Sequence, residues 1–374
     1  MKKLILLLSL FSLGQNSFAQ ENEGKKSNLK ISGYMEIFYS YDFNQPENHI
    51  RHPFFYTFNR HNEVNVNLAS VKTSYETESM RANIALMAGT YPEDNMVAEQ
   101  GMLKYIEEAS LGVKISKTKN LWIDAGIMPS YIGLEGEISK DNLTLTRTVA
   151  IANSPFFMTG VKLSYATDDN KWALAAGIFN GWQKIRRVIV DRETRKVIGN
   201  AASEMLAFGT KVGFQPNEKW TFNSSTYIGN DPATESKLRL FHDFFTTYKP
   251  TNKWEFDFVF DVGVEQAEKA SSKHYIWWSP NLIAKYHFTP KFSTAGRVEY
   301  YHDPNNVMGA APEGNKFQIF GASVNFDYLI NKNMMWRIEF RNLQSKEPIF
   351  IKLDKEHPRV DQNFFITTSL DAWF

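Results

Sequence analysis

Trp254-Glu255-Phe256-Asp257-Phe258-Val259-Phe260-Asp261-Val262-Gly263-Val264 is the stretch on which the reading of the fold turns. Every even position is apolar, while Glu255, Asp257 and Asp261 occupy odd ones. A period of two belongs to a strand, which turns this pattern into one greasy face and one acidic face. The same alternation sets Trp336, Ile338 and Phe340 against Arg337, Glu339 and Arg341, and Phe292, Val298 and Tyr300 against Ser293, Arg297, Glu299 and Tyr301. Strands of a soluble sandwich usually run about 5–6 residues. These runs last roughly 10–14, near the ~9–11 that a tilted strand needs to cross a bilayer.

Working outward, the chain reads as about sixteen such strands, the first over 29–42, the second over 58–76 and the last over 362–374. Short connections rich in turn formers, such as Thr167-Asp168-Asp169-Asn170 and Lys249-Pro250-Thr251-Asn252, alternate with long polar segments such as Asn44 to Thr57 and Gln183 to Ser203. That rhythm predicts an all-β fold, a transmembrane antiparallel β-barrel with short periplasmic turns and long extracellular loops. Trp122, Trp172, Trp220, Trp254 and Trp336 each fall beside a short turn, where an interfacial aromatic girdle is expected. Phe374, the terminal residue, is read as an outward-facing assembly signal.

The beginning of the chain reads differently. Lys2 and Lys3, the apolar run Leu4 to Leu13 and the small-x-small triplet Ser17-Phe18-Ala19 predict a cleaved export signal over 1–19. A short periplasmic segment, 20–28, then precedes the barrel, 29–374. No later stretch of ~18 apolar residues predicts a transmembrane helix. The absence of Cys removes disulfides, thiolate metal sites and a Cys nucleophile. Lys and Arg at 42 against Asp and Glu at 41 give no footprint for nucleic acid.

Ile31-Ser32-Gly33-Tyr34-Met35-Glu36, His61-Asn62-Glu63 leading into Val64-Asn65-Val66-Asn67-Leu68-Ala69, and Ile132-Gly133-Leu134-Glu135 resemble the putative β-barrel porin-2 (OmpL-like) outer-membrane family. Asn180-Gly181-Trp182, Glu299-Tyr300-Tyr301 and Trp373-Phe374 are similar to its pattern too. The resemblance implies porin-like diffusion across the outer membrane. It names no solute.

Catalytic signatures are missing: there is no Gly-x-Ser-x-Gly elbow, His-Glu-x-x-His, phosphate-cradling loop or EF-hand in the sequence. The expectation is therefore a non-enzymatic porin without cofactor, passing small hydrophilic solutes or ions. The alternatives are a barrel that anchors surface loops for adhesion or assembly, or an outer-membrane barrel hydrolase. Its partners would be outer-membrane lipid and lipopolysaccharide, the barrel-assembly machinery and copies of itself in a homotrimer. Arg186, Arg187, Arg192, Arg195 and Lys196 form a basic loop that could meet lipopolysaccharide.

Tyr131 to Phe156, between the fifth and sixth strands, mixes Ile132, Leu134, Leu143, Leu145, Val149 and Ile151 with Glu135, Glu137, Lys140, Asp141 and Arg147. By analogy with sixteen-stranded porins it is expected to fold into the lumen and narrow the pore, Glu135, Glu137, Lys140, Asp141 and Arg147 lining the constriction. Glu135, Glu137 and Asp141 are also a set of carboxylates able to hold a divalent cation, although no metal is assigned. Glu36, Glu63, Asp257, Asp261, Arg297, Glu299, Arg337, Glu339 and Arg341 are assigned to the lumen wall, where charged rings tune ion passage. Their mixed signs leave cation or anion preference open.

Overall fold

The structure, a computed structural model, describes residues 28–52, 54–187, 206–231, 237–354 and 358–374. The export signal over 1–19, nearly all of the periplasmic segment and Arg192, Arg195 and Lys196 of the basic loop lie outside the described residues.

The chain forms β1 (Leu29–Asp42), β2 (Val64–Glu76), β3 (Met80–Ala88), β4 (Ile106–Lys114), β5 (Asn120–Pro129) and β6 (Phe157–Ala166). There follow β7 (Trp172–Phe179), β8 (Ala207–Asn217), β9 (Trp220–Asp231), β10 (Lys237–Tyr248), β11 (Trp254–Gln266) and β12 (His274–His287). The last are β13 (Phe292–Asp303), β14 (Phe317–Asn331), β15 (Met334–Ser345), the two-residue pair β16 (Phe350–Ile351) and β17 (Arg359–Val360), and β18 (Gln362–Trp373). Apart from β16 and β17, the strands close into one sixteen-stranded antiparallel barrel, each beside its sequence neighbour, with β1 sealing against β18. A closed ladder leaves no edge, as lipid demands.

The alternation carries through to the faces. On β11, Phe258 and Phe260 are exposed on the outer surface, whereas Asp257, Val259 and Asp261 are buried on the inner one. The second strand begins at Val64 rather than 58. Residues 58–63 instead turn over the mouth, where Phe58 N donates to Asn67 Oδ1 at 3.1 Å and His61 N to the His49 carbonyl at 2.7 Å.

Outer rings form a belt at the short-turn end. Trp172 stacks on Phe214 at 4.2 Å, Trp220 on Tyr248 at 4.0 Å and Trp254 on Phe256 at 5.4 Å, and the contacts continue through Tyr286, Phe288 and Phe292. This is the interfacial girdle of a membrane barrel. Trp122 departs from it. Ile123 takes the outer face of β5, so Trp122 points inward, buried beneath the Arg81 guanidinium at 4.5 Å.

Phe374 is 70% exposed, and its backbone exchanges hydrogen bonds of 3.1 and 3.2 Å with Gly33. Its ring lies where a Cβ on Gly33 would stand, 2.3 Å from that position. Any side chain at 33 therefore has to displace this ring. Gly33→Val is expected to push the ring off the seam and lower the yield of heat-modifiable, folded barrel, as read on unboiled gels. Phe374→Ala should relieve the defect, and a Gly33→Val barrel assembling at full yield would contradict this account of the seam.

The inner face has two regimes. Toward the long-loop end, Phe179, Tyr227, Phe241, Trp277, Phe317 and Phe365 join Phe54 and Phe55 of the first loop in one apolar cluster. Nearer the middle the wall is charged. His52 belongs to the first regime, 4% exposed, with its ring 4.5 Å from Phe54 and 5.9 Å from Phe350. Burial, helped by Arg359 and Arg51, pushes this imidazole down to about 3. The buried ring is then neutral at pH 7, while a ring released into water takes up a proton below about 6.5. Stability of the closed first loop is full above about 6.5 and falls as the pH drops toward about 3. Protease cleavage within 43–63 should accelerate at about pH 4.5 relative to pH 7. His52→Phe should remove the dependence, and equal rates in the parent at both pH values would contradict it.

Candidate functional site

The charged wall is built by inward positions on β13, β14 and β15. Arg297, Arg337, Glu339 and Arg341 are each no more than 2% exposed. Arg297 Nη2 donates to Glu339 at 2.7 Å, Arg341 Nη2 to Glu299 at 2.5 Å, and Arg337 Nε to Asp327 at 2.7 Å. Lys285 Nζ closes on the same Asp327 at 2.6 Å. Buried ions are costly unless paired and hydrogen-bonded, and here most of the remaining donors and acceptors find the segment between β5 and β6, while Arg297 Nε lies 3.4 Å from Glu299.

That segment, 130–156, turns inward at its start. Ser130 Oγ accepts from Ile132 N at 3.1 Å, and Gly133 adopts φ 89°, a left-handed conformation suited to Gly. Asn142 clamps a hairpin by bonding both the N–H and the carbonyl of Gly136 at 3.0 Å. The Thr148 hydroxyl caps the helical turn Val149–Ala152 by accepting from Ile151 N at 3.3 Å.

Between these fixed points the segment's backbone is read by the wall. Arg297 Nη1 donates to the Thr146 carbonyl at 2.6 Å, Arg341 Nη1 to the Arg147 carbonyl at 2.9 Å, and Arg337 to the carbonyls of Ser139, Asn142 (3.1 Å) and Leu143 (3.4 Å). In return Thr146 N donates to Glu339 at 2.6 Å, Val149 N to Glu299 at 2.8 Å and Leu145 N to Asn325 Oδ1 at 3.1 Å. Three arginines and two glutamates so satisfy a loop's polar backbone inside the barrel, the condition for burying irregular chain at membrane depth.

The opposite face of the segment is open. Three cavities follow one another there. The first, about 230 Å³, lies at the long-loop end among Asp94, Glu99, Trp182 and Gln183. It shares Ser154 and Phe156 with a second of about 280 Å³, lined by Glu135, Glu137 and Asp141. The second shares Pro129 and Ser130 with a third of about 400 Å³, which reaches Asn120 and Ala166 beside short turns. Taken together, their linings reach from residues beside the long loops to residues beside the short turns.

The residues singled out in the sequence therefore part company. Glu135, Glu137 and Asp141 line the middle cavity, but Glu135 is buried and accepts from Thr148 N at 2.9 Å and Oγ1 at 2.6 Å. Lys140 bonds Asp141 at 2.5 Å and sits over the Trp373 ring at 5.2 Å. Arg147 turns from the cavity onto the rings of Phe156 (4.4 Å) and Tyr91 (5.0 Å). Among the described residues no group of three or more His, Asp or Glu is arranged to hold a metal.

Of the wall set, Arg297, Glu299, Arg337, Glu339 and Arg341 face inward but are covered by the segment rather than by water. Glu36, fully buried, accepts from Asn67 Nδ2 at 2.6 Å and from Ser139 Oγ, adding a further tie to the segment. Asp257 accepts from Thr247 Oγ1 at 2.7 Å, and Asp261 stands directly across from Asp243 on β10. Glu63 is not in the wall; it precedes β2 and holds Asn65 Nδ2 at 2.8 Å. The sequence reading missed Asp327 and Lys285, and on the open side Lys72, Arg81, Glu108, Asp124, Lys162 and Lys211. Their parity was visible, since Lys162 alternates with the outward Val161 and Leu163.

A closed sixteen-stranded barrel with an outer aromatic belt and an inward segment defines an outer-membrane barrel of the porin class. The chain belongs to the Putative beta-barrel porin-2, OmpL-like family (BBP2), whose model matches residues 28–373. No curated protein matches it. Its fold is similar to OmpT of Vibrio cholerae in its trimer form, with TM-score 0.56 and 10% identity over 92% of this chain and 99% of that one. It is likewise similar to an anion-selective porin from Comamonas acidovorans (TM-score 0.56, 8% identity, 93% and 100% covered). OmpF of Salmonella typhi in complex with daunomycin gives TM-score 0.56 and 12% identity over 92% and 97%. At such identities the likeness shows the fold alone.

Proposed function

We propose that the protein is a passive, non-enzymatic diffusion channel for small hydrophilic solutes or ions, its bore narrowed by the segment 130–156. The observation that carries this reading is the succession of three cavities sharing lining residues from the long-loop end to the short-turn end. The buried arginine–glutamate wall holds the segment in place, and the free side of the segment, with Glu137 and Asp141, faces the path. Phe374 closes the seam and serves as the assembly signal. The trimer recorded for the Vibrio cholerae barrel is the assembly proposed here as well, to be read by crosslinking in detergent. Single-channel recording in a planar bilayer tests the function: stepwise conductance is expected, and folded, inserted barrels that remain silent would contradict it in favour of a loop-anchoring role.

A further inference from the structure

We propose that the third cavity, at the short-turn end, is a binding site for small oxyanions of the phosphate or carboxylate class; this rests on the channel reading only for how the anion arrives. Its charged lining is of one sign. Arg81, Lys162 and Lys211 line it, together with Ser164 and Tyr131, and no Asp or Glu does. Carboxylates nearby lie beneath the cations. Asp124 is 8% exposed under an Arg81 that is 31% exposed, and Glu108 6% under a Lys72 that is 38% exposed. What the water in this cavity meets is therefore positive.

The register explains how two lysines can converge. Lys162 on β6 lies level with Gly177 on β7, and Lys211 on β8 lies level with Ala175, itself opposite Ser164. The lysines thus flank β7 two strands apart and two residues out of step, roughly 12 Å between their backbones at the ~4.8 Å strand spacing and ~3.3 Å rise. Between them β7 presents Ala173 and Ala175 to the cavity, while the inward Phe179 ring covers Gly177 and bounds the site on the side away from the short turns. Two ammonium-tipped arms over the small side chains of Ala173 and Ala175, in a cavity of about 400 Å³, leave room for one multivalent oxyanion. Neither lysine makes a hydrogen bond or ion pair among the described residues; the carboxylates that attract them, Asp124 and Glu108 for Lys162 and the buried Asp243 for Lys211, stand farther off. By contrast, Arg239, Arg297, Arg337 and Arg341 on the far wall each bond a carboxylate directly. Arg81 Nη2 also approaches Ser164 Oγ at 3.4 Å, which sets that hydroxyl beside the cationic group. Ammonium groups with no hydrogen-bonded carboxylate, beside a guanidinium, make charge-assisted hydrogen bonds to oxyanions.

The test uses purified, refolded full barrel in detergent and inorganic phosphate as the probe. Calorimetric titration should show saturable binding. Lys162→Gln with Lys211→Gln should weaken it by roughly a hundredfold or more, since each hydrogen bond to a charged group is worth at least about a factor of ten. The Lys162→Arg, Lys211→Arg barrel should retain it, which controls for folding. In a planar bilayer, phosphate should reduce chloride conductance through the parent and the Arg barrel but not through the Gln barrel. A folded parent that binds no phosphate overturns the site, whether or not it conducts. Phosphate binding in a barrel that never conducts upholds the site and overturns the channel instead. Equal binding by parent and Gln barrel overturns the assignment to these lysines.

Discussion

Replacing Arg337 and Arg341 together by Ala is expected to release the inward segment and destabilise the barrel, rather than to retune its ion preference by removing exposed charge. The two guanidinium groups bond five acceptors on the segment, the carbonyls of Ser139, Asn142, Leu143 and Arg147 and the Thr146 hydroxyl, while holding Asp327 and Glu299. Removing one partner of a buried ion pair costs about 3–5 kcal/mol, because the other charge is left uncompensated. Here Asp327 keeps Lys285 at 2.6 Å and Glu299 keeps Arg297 at 3.4 Å, which places each loss toward the lower end. Protease cleavage within 130–156 should appear where the parent resists it, and the unfolding transition in detergent should fall. Lys at both positions restores charge but not the fork that reaches several carbonyls at once, so it should rescue little. Parent-like cleavage resistance and unfolding in the Ala barrel would contradict this account of the wall.

Much of this was legible in the sequence, for a simple reason. Lipid outside and polar groups inside force a period of two, so Trp254 to Val264 discloses both the strand and its inner face. The approximate strand number followed from spacing, and the position and mixed composition of 131–156 marked it as unlike a solvated loop. Parity says which way a side chain points but not what covers it. Arg297, Arg337 and Arg341 face inward and yet meet backbone carbonyls of a segment some 150 to 200 positions away in the chain, a contact without local signature. Trp122 shows the same limit. Its nearness to a turn suggested the girdle, whereas its parity with Asp124 set it inside. Lys162 and Lys211 were overlooked because an isolated lysine on a short strand has no motif; only the sheet register brings them to either side of Ala175 and Gly177.

The largest functional effect is expected from excising 136–146 and joining the ends through a short Gly-Ser linker. Excision removes Gly136, Glu137, Ile138 and Asp141 from the lining of the middle cavity, and in the proposed path conduction is set by the narrowest passage. A sixteen-stranded barrel without an obstructing segment encloses an aqueous channel. Excision also strips Arg297 and Arg337 of their carbonyl partners and Arg341 of the Thr146 hydroxyl, but leaves Arg297–Glu339, Arg337–Asp327 and Arg341–Glu299 paired with one another. The barrel should therefore still fold, with heat-modifiable mobility as the control. The decisive measurement is the single-channel conductance of the parent against that of the excised barrel in one planar bilayer system. The account predicts small, steady conductance steps for the parent and a severalfold larger step after excision; equal conductances, or silence from both folded barrels, would contradict it.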